Sequence, residues 1–184
     1  MYIEMKTPSR FMPKYKYTGQ WPPFAHWLFL ALLLLPLIWF AWEEPIVLVF
    51  IGVIALWTII DVKRQSKKLQ RLLDERKELS ICEFARSFNG KEIDTWVIRA
   101  VYEQIQEYVV TDGGPLPIKA DDNLVETLEL DDDDLDLDLL EEILQRTGRS
   151  IENTENNPYF NKVKTVRDLV YFINEQPIVT NFNH

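Results

Sequence analysis

Residues 24–42 read FAHWLFLALLLLPLIWFAW, and residues 45–60 read PIVLVFIGVIALWTII. Neither stretch holds a charged side chain. At about 1.5 Å of rise per residue, the first crosses most of a hydrocarbon core of roughly 30 Å. The second, at roughly 24 Å, is short, so flanking residues or local thinning of the bilayer must absorb the mismatch. Only Glu43 and Glu44 separate them. The reading is a transmembrane helical hairpin, 24–60, closed by a tight turn. A cleaved secretory signal fits less well, because the first run is long, lacks a small-residue cleavage site and leads into a second apolar run. Two core helices of a soluble fold fit less well too. Neither run has a polar face, and the rest of the chain is too small to surround both.

Charge fixes the expected orientation. Lys6, Arg10, Lys14 and Lys16 precede the hairpin. Lys63, Arg64, Lys67, Lys68, Arg71, Arg76 and Lys77 follow it, while the turn has no basic residue. The positive-inside rule then places both termini in the cytoplasm, as in a multi-pass protein of a bacterial inner membrane. Trp21 and Trp42 suit interfacial belts, and Trp39 and Trp57 suit either the belt or a helix–helix contact. His26 falls about a turn from the interface, where headgroups solvate it, and Pro36 introduces a kink that membranes tolerate.

The chain as a whole has 184 residues and a net charge of −9. At 47% hydrophobic residues it is no disordered polyampholyte, and ten Pro with six Gly exclude collagen-like classes. The single cysteine, Cys82, excludes an internal disulfide framework and a cysteine-rich zinc module. Two histidines, His26 and His184, leave little for histidine-based catalysis. The charge is unevenly divided. Residues 1–77 carry 11 Lys+Arg and 6 Asp+Glu, whereas residues 78–184 carry 9 and 23. This divides the chain into a basic N-terminal arm (1–23), the hairpin, a basic stalk helix (61–79), an acidic domain (80–178) and a tail (179–184).

The stalk, VKRQSKKLQRLLDERKEL over residues 62–79, is free of helix breakers. Leu69, Leu72, Leu73 and Leu79 lie near one stripe. Lys63, Arg64, Lys67, Lys68 and Arg71 are the residues expected near anionic lipid headgroups. The stretch has no interleaved aromatics and lies beside a bilayer, so nucleic acid is not the expected partner.

In the acidic domain, residues 81–88 form a short helix candidate broken by Asn89-Gly90. Residues 93–109 place Ile93, Trp96, Val97, Ala100, Val101, Ile105 and Tyr108 at three- and four-residue steps, an amphipathic helix with Asp94 as its cap. Residues 111–117 (TDGGPLP) are a loop. Residues 139–147 form the next helix, stopped by Gly148. Residues 151–161 are irregular. Thr165 opens a last helix, TVRDLVYFINEQ, with Asp168 completing a variant capping box and Pro177 beyond its end. Residues 134–140 alternate apolar and acidic side chains, but an isolated strand has no partner, so they are read as a loop entering a helix. Cys82 is expected as a small buried apolar residue, with palmitoylation or redox chemistry as the alternative. The fold class is therefore all-α: a two-helix hairpin followed by a small helical bundle.

Residues 93–176 resemble an acyl carrier protein. Asp122, Asn123, Leu124, Val125, Glu126, Thr127 and Leu128 are similar to the loop before the prosthetic-group site. Residues 129–144 are similar to the acidic second helix, and Thr165, Val166, Arg167, Asp168, Leu169 and Ile173 to the last helix. A working carrier has an Asp-Ser-Leu serine at the start of the second helix to bear phosphopantetheine. The matching stretch here, residues 130–135, reads LDDDDL. No register supplies a hydroxyl there, and Ser87 and Ser150 lie far off. A phosphodiester needs such a nucleophile. The resemblance is to the serine-less carrier-like proteins of enteric bacteria, and it implies no cofactor.

Residues 129–142 hold nine carboxylates and no basic residue. They lack a companion nucleophile or oxyanion donor, so no enzymatic role is assigned. Asp134, Asp136 and Asp138 match positions one, three and five of a calcium loop. Leu139 stands where the turn wants Gly, and Gln145 where a bidentate Glu is needed, so no metal site is assigned. Carboxylates near a helix start complement its dipole, but that accounts for two or three of them. The rest repel one another. Asp131, Asp132, Asp133, Asp134, Asp136, Asp138, Glu141 and Glu142 are the expected docking surface for a basic protein partner. The function expected is a membrane-anchored, non-enzymatic docking or regulatory module. The alternatives are an immunity protein against a basic toxin, a tethered carrier with a displaced attachment serine, and an enzyme acting on lipids.

Overall fold

The computed structural model describes residues 8–12, 14, 27–29, 31–32, 46–109, 111, 113–130 and 139–179. Among these the protein is all-helical, with two isolated backbone bridges and no strand. It divides into two compact units, Lys16–Lys67 and a second that joins Met1–Tyr15 to Lys68–His184.

In the first unit the main element is α1, Ile46–Glu75, whose last two turns belong to the second unit. From Ile46 to Ile60 it carries no charge and is exposed almost all round; Phe50 and Trp57 are 64% and 71% exposed. Among the described residues nothing covers this stretch, and α1 as a whole is long and apolar enough to cross a membrane. Its one hydroxyl, on Thr58, bonds back to the carbonyl of Ile54 at 2.9 Å, which removes a polar group from the apolar surface. Among the described residues α1 is the single such helix. Residues 27–29 and 31–32 are helical and exposed, and the remainder of 24–42, with the turn at 43–44, lies outside the described residues.

The second unit is built around α3, Thr95–Tyr108. Asp94 caps it by accepting the Trp96 amide at 2.9 Å. Its face of Val97, Ala100, Val101 and Ile105 is fully buried. Around it pack α2 (Ile81–Arg86), α4 (Leu140–Thr147) and α5 (Val166–Glu175), with a short 3-10 turn at Ser9–Phe11. α2 contributes Phe84, and Phe88 just after it stacks edge-on at 5.1 Å. α4 stops where Gly148 takes φ +66°, and the Arg149 amide closes the turn on the Leu144 carbonyl. α5 opens with the reciprocal Thr165–Asp168 capping box.

The long 113–130 segment has no regular helix but is pinned by its own side chains. Leu116, Ile118, Ala120, Leu124, Leu128 and Leu130 are buried. Its backbone zips onto the start of α5 through Leu124 to Lys164, Val166 to Asp122 and Arg167 to Ala120. A second antiparallel clasp joins Ser150 to Pro177 and Val179 to Gly148, which closes the far end.

α1 ends at Glu75 rather than running on to Leu79. Ser80 is extended and opens its own capping box with Glu83, so the backbone must leave the helix before it. Its last turns also serve the core. Leu73 is buried, Leu69 and Leu72 pack against it, and Gly113 comes so close that a Cβ there would sit 2.6 Å from Leu73 Cδ2.

Cys82 is exposed, contrary to its expected burial. In a six-residue helix only one stripe reaches the core, and Phe84 with half-buried Ile81 and Ala85 takes it. Cys82 falls on the other side.

Candidate functional site

The aspartate-rich stretch 131–138 is bracketed in sequence by buried apolar residues. Leu128 and Leu130 precede it, and Leu139 and Ile143 follow it, all 3% exposed or less. Asp131, Asp132, Asp133, Asp134, Asp136 and Asp138 lie outside the described residues. Glu141 and Glu142 occupy the first turn of α4, where carboxylates complement the helix dipole. Glu141 is exposed, whereas Glu142 is half-buried and accepts a hydrogen bond from the Gln104 side-chain amide of α3.

Beneath this turn a polar network ties α4 to α3. Arg146, 5% exposed, donates to Gln104 Oε1 at 3.1 Å and to Glu103 Oε2. Arg99 reaches the other oxygen of Glu103 at 2.8 Å. Burial alone would raise the Glu103 carboxyl. The hydrogen bonds and charges of Arg146 and Arg99 outweigh it and hold the group below its ordinary 4.5. At the opposite end of α4, Arg149 donates to the carbonyls of Asn174 and Gln176 and lies 3.8 Å from Asp94. Burial lowers the Arg149 pKa, while the charges of Asp94 and Glu175 oppose that. A cation on the last carbonyls of α5 suits that helix terminus.

The basic stalk residues part company. Lys63, Arg64, Lys67 and Arg71 are exposed. Lys68 bonds Glu129 at 2.8 Å and the Glu126 carbonyl at 2.5 Å. Glu129 itself sits at φ +60°, a left-handed conformation unusual for its type, immediately before the acidic run. Arg76 is buried. Its two terminal nitrogens grip Asp122 at 2.7 and 2.8 Å, and one also reaches the Pro117 carbonyl at 3.2 Å. Asp122 accepts a third bond, from the Lys119 amide, at 2.8 Å. This bidentate pair fastens the chain just past the end of α1 to the loop at 117–122.

Sequence reasoning missed three placements. Asp122 and Arg76 are 46 positions apart, and no local pattern pairs them. Arg146 lies on an acidic helix yet faces inward. The N-terminal arm, read only for its charge, packs on the acidic domain: Met12 joins the core, and Arg99 Nε donates to Ser9 Oγ at 3.4 Å. The cleft beside it, about 360 Å³, is lined by Lys14, Gln104, Glu107, Tyr108 and Glu142.

Ser87 donates to the Glu83 carbonyl at 3.3 Å, and Ser150 accepts from the Glu152 amide at 3.1 Å. Among the described residues no three His, Cys, Asp or Glu side chains come together as a metal would need. Compared with known protein families, curated proteins and solved structures, the chain finds no match in any of the three.

Proposed function

We propose that the protein is a membrane-anchored, non-enzymatic docking module. A two-helix hairpin, residues 24–42 and 45–60, holds it in a bacterial inner membrane with both termini in the cytoplasm. An acidic, acyl-carrier-like domain that lacks the attachment serine meets a basic protein partner through Asp131–Asp134 and their neighbours. The observation that carries this reading is α1. Fifteen uncharged residues of one helix, Ile46–Ile60, find no cover among the described residues, and the same helix carries Leu73 into the core of the acidic unit. Apolar surface of that extent is stable only against lipid or another protein. The acidic unit has a hydrophobic core of its own. Tethering raises the effective concentration of a membrane-bound partner without a new contact.

The experiment is in-cell crosslinking of the membrane-embedded chain, with Asp131, Asp132, Asp133 and Asp134 changed to Asn as control. A partner captured by the native chain and lost in the variant supports the reading. A partner held equally by both sinks the docking role of the acidic run. A periplasm-active reporter fused at His184 is expected to be silent, and an active one overturns the topology.

A further inference from the structure

The N-terminal arm is more than a topogenic charge. Residues 8–12 form a compact turn: the Phe11 amide bonds the Pro8 carbonyl at 2.9 Å and the Met12 amide the Ser9 carbonyl at 3.1 Å. The turn packs on α3, Met12 is 9% exposed within the core, and Arg99 holds Ser9. Two residues further on, Lys14 lines the open cleft of about 360 Å³ with Glu107, Glu142, Gln104 and Tyr108. Two carboxylates and an aromatic ring line the cleft together with Lys14, and such groups can recognise a lysine side chain by charge and by the ring face. The cleft lies at the first turn of α4, where the acidic run enters the helix.

We propose that the arm is a built-in competitor: Lys14 stands in the wall of the cleft that receives a lysine from a basic partner segment, and the arm must withdraw before that segment docks. The inference deepens the docking reading and rests on it. The physical basis is charge complementarity and position. The arm supplies a cation to a unit that has 23 acidic against 9 basic residues over 78–184. Glu107 is exposed on α3, so it serves no internal packing role. The attachment is also thin. Among the described residues, one buried methionine and one 3.4 Å hydrogen bond hold the turn at 8–12, which puts its release within reach of a modest binding energy. Apparent affinity for a competing ligand then falls by the fraction of time the turn is seated.

The test uses the full chain in lipid nanodiscs and one probe, a fluorescein-labelled peptide with the sequence of residues 8–14, PSRFMPK, read by anisotropy. Lys14→Ala, an exposed change that spares the fold, is expected to tighten peptide binding several-fold. Adding Glu107→Gln to Lys14→Ala is expected to reverse the gain. A peptide with alanine in place of its lysine is expected to bind neither. Changing Asp131–Asp134 to Asn is expected to leave the Lys14→Ala gain intact, which separates this site from the acidic run. Equal peptide binding to the native chain and Lys14→Ala overturns the competition. A gain that survives Glu107→Gln, or vanishes with the four Asn changes, overturns the assignment of the cleft.

Discussion

Asp122→Ala is the change with the largest consequence for the acidic unit. The carboxylate is 5% exposed and accepts three hydrogen bonds, two from Arg76 and one from the Lys119 amide. Its removal leaves a guanidinium, itself 7% exposed, with the Pro117 carbonyl at 3.2 Å as its remaining recorded contact. Removing one partner of a buried pair costs about 3–5 kcal/mol, because the other charge stays desolvated and uncompensated. At about 4 °C per kcal/mol for a domain of this size, the thermal midpoint falls by about 12 °C or more. The assay is thermal unfolding of the full chain in detergent micelles, followed by near-ultraviolet circular dichroism. Trp96 is the sole tryptophan of residues 68–184 and is 5% exposed, so it reports the loss of packing. The drop should be alike at low and high salt, since a buried pair is little screened. Arg76→Met combined with Asp122→Leu should recover most of the loss, as apolar replacements of buried pairs do. A single variant within about 1 kcal/mol of the native chain, the lower edge of what a lost buried bond costs, would refute the reasoning.

Other expectations are as direct. Glu103→Gln removes a carboxylate whose folded pKa lies below 4.5; a lowered folded pKa gives stability that is present above the unfolded value and lost as pH falls through the folded one. The variant should therefore be less stable than the native chain at neutral pH, with the gap closing on acidification below 4.5, and parallel unfolding curves from neutral to acid pH would contradict this. Gly113→Ala forces a methyl to within 2.6 Å of Leu73 Cδ2 and 2.8 Å of Gln70 Nε2, and overpacking of that kind costs about 1–3 kcal/mol in a denaturant titration. Thr165→Ala deletes the hydroxyl that accepts the Asp168 amide at 3.2 Å and should cost about 1 kcal/mol, read by the same titration.

What the sequence made legible is what local physics decides. Residues 93–109 gave a helix by periodicity, and α3 runs over Thr95–Tyr108 with the expected Asp94 cap. Gly148 and the Thr165–Asp168 pair marked the end of α4 and the start of α5, because a left-handed turn and a capping box are short-range chemistry. Distant pairing was not legible. Nothing near Arg76 announces Asp122, and a basic residue on a helix beside a membrane reads as surface charge. Cys82 misled for a related reason: hydrophobicity says what a residue tolerates, while a helix of six residues offers too little pattern to say which side faces in. The arm was opaque because Met12 acts alone, outside any repeat, and takes its burial from α3.

The charge arithmetic of the acidic unit bears on why the carboxylates are there. Asp122, Glu129, Glu103, Asp121 and Asp94 each face a basic group: Arg76, Lys68, Arg146 with Arg99, Arg167 and Arg149. These pairs link α1, the 113–130 segment, α3, α4 and α5 to one another, so they are the part of the charge that the fold itself uses. Residues 78–184 contain 23 carboxylates and 9 cations. Matching each of those cations, together with Lys68 of α1 and Arg76 just past its end, to one carboxylate leaves an excess of 12 carboxylates by count. Six aspartates lie at 131–138 in the sequence, between Leu130 and Leu139, which are buried in the core. Like charges at that density weaken the structure that carries them. A folding rationale would spread them over the surface or interleave lysines. Their concentration in one short run of sequence is the pattern that the proposed meeting with an opposite charge would use.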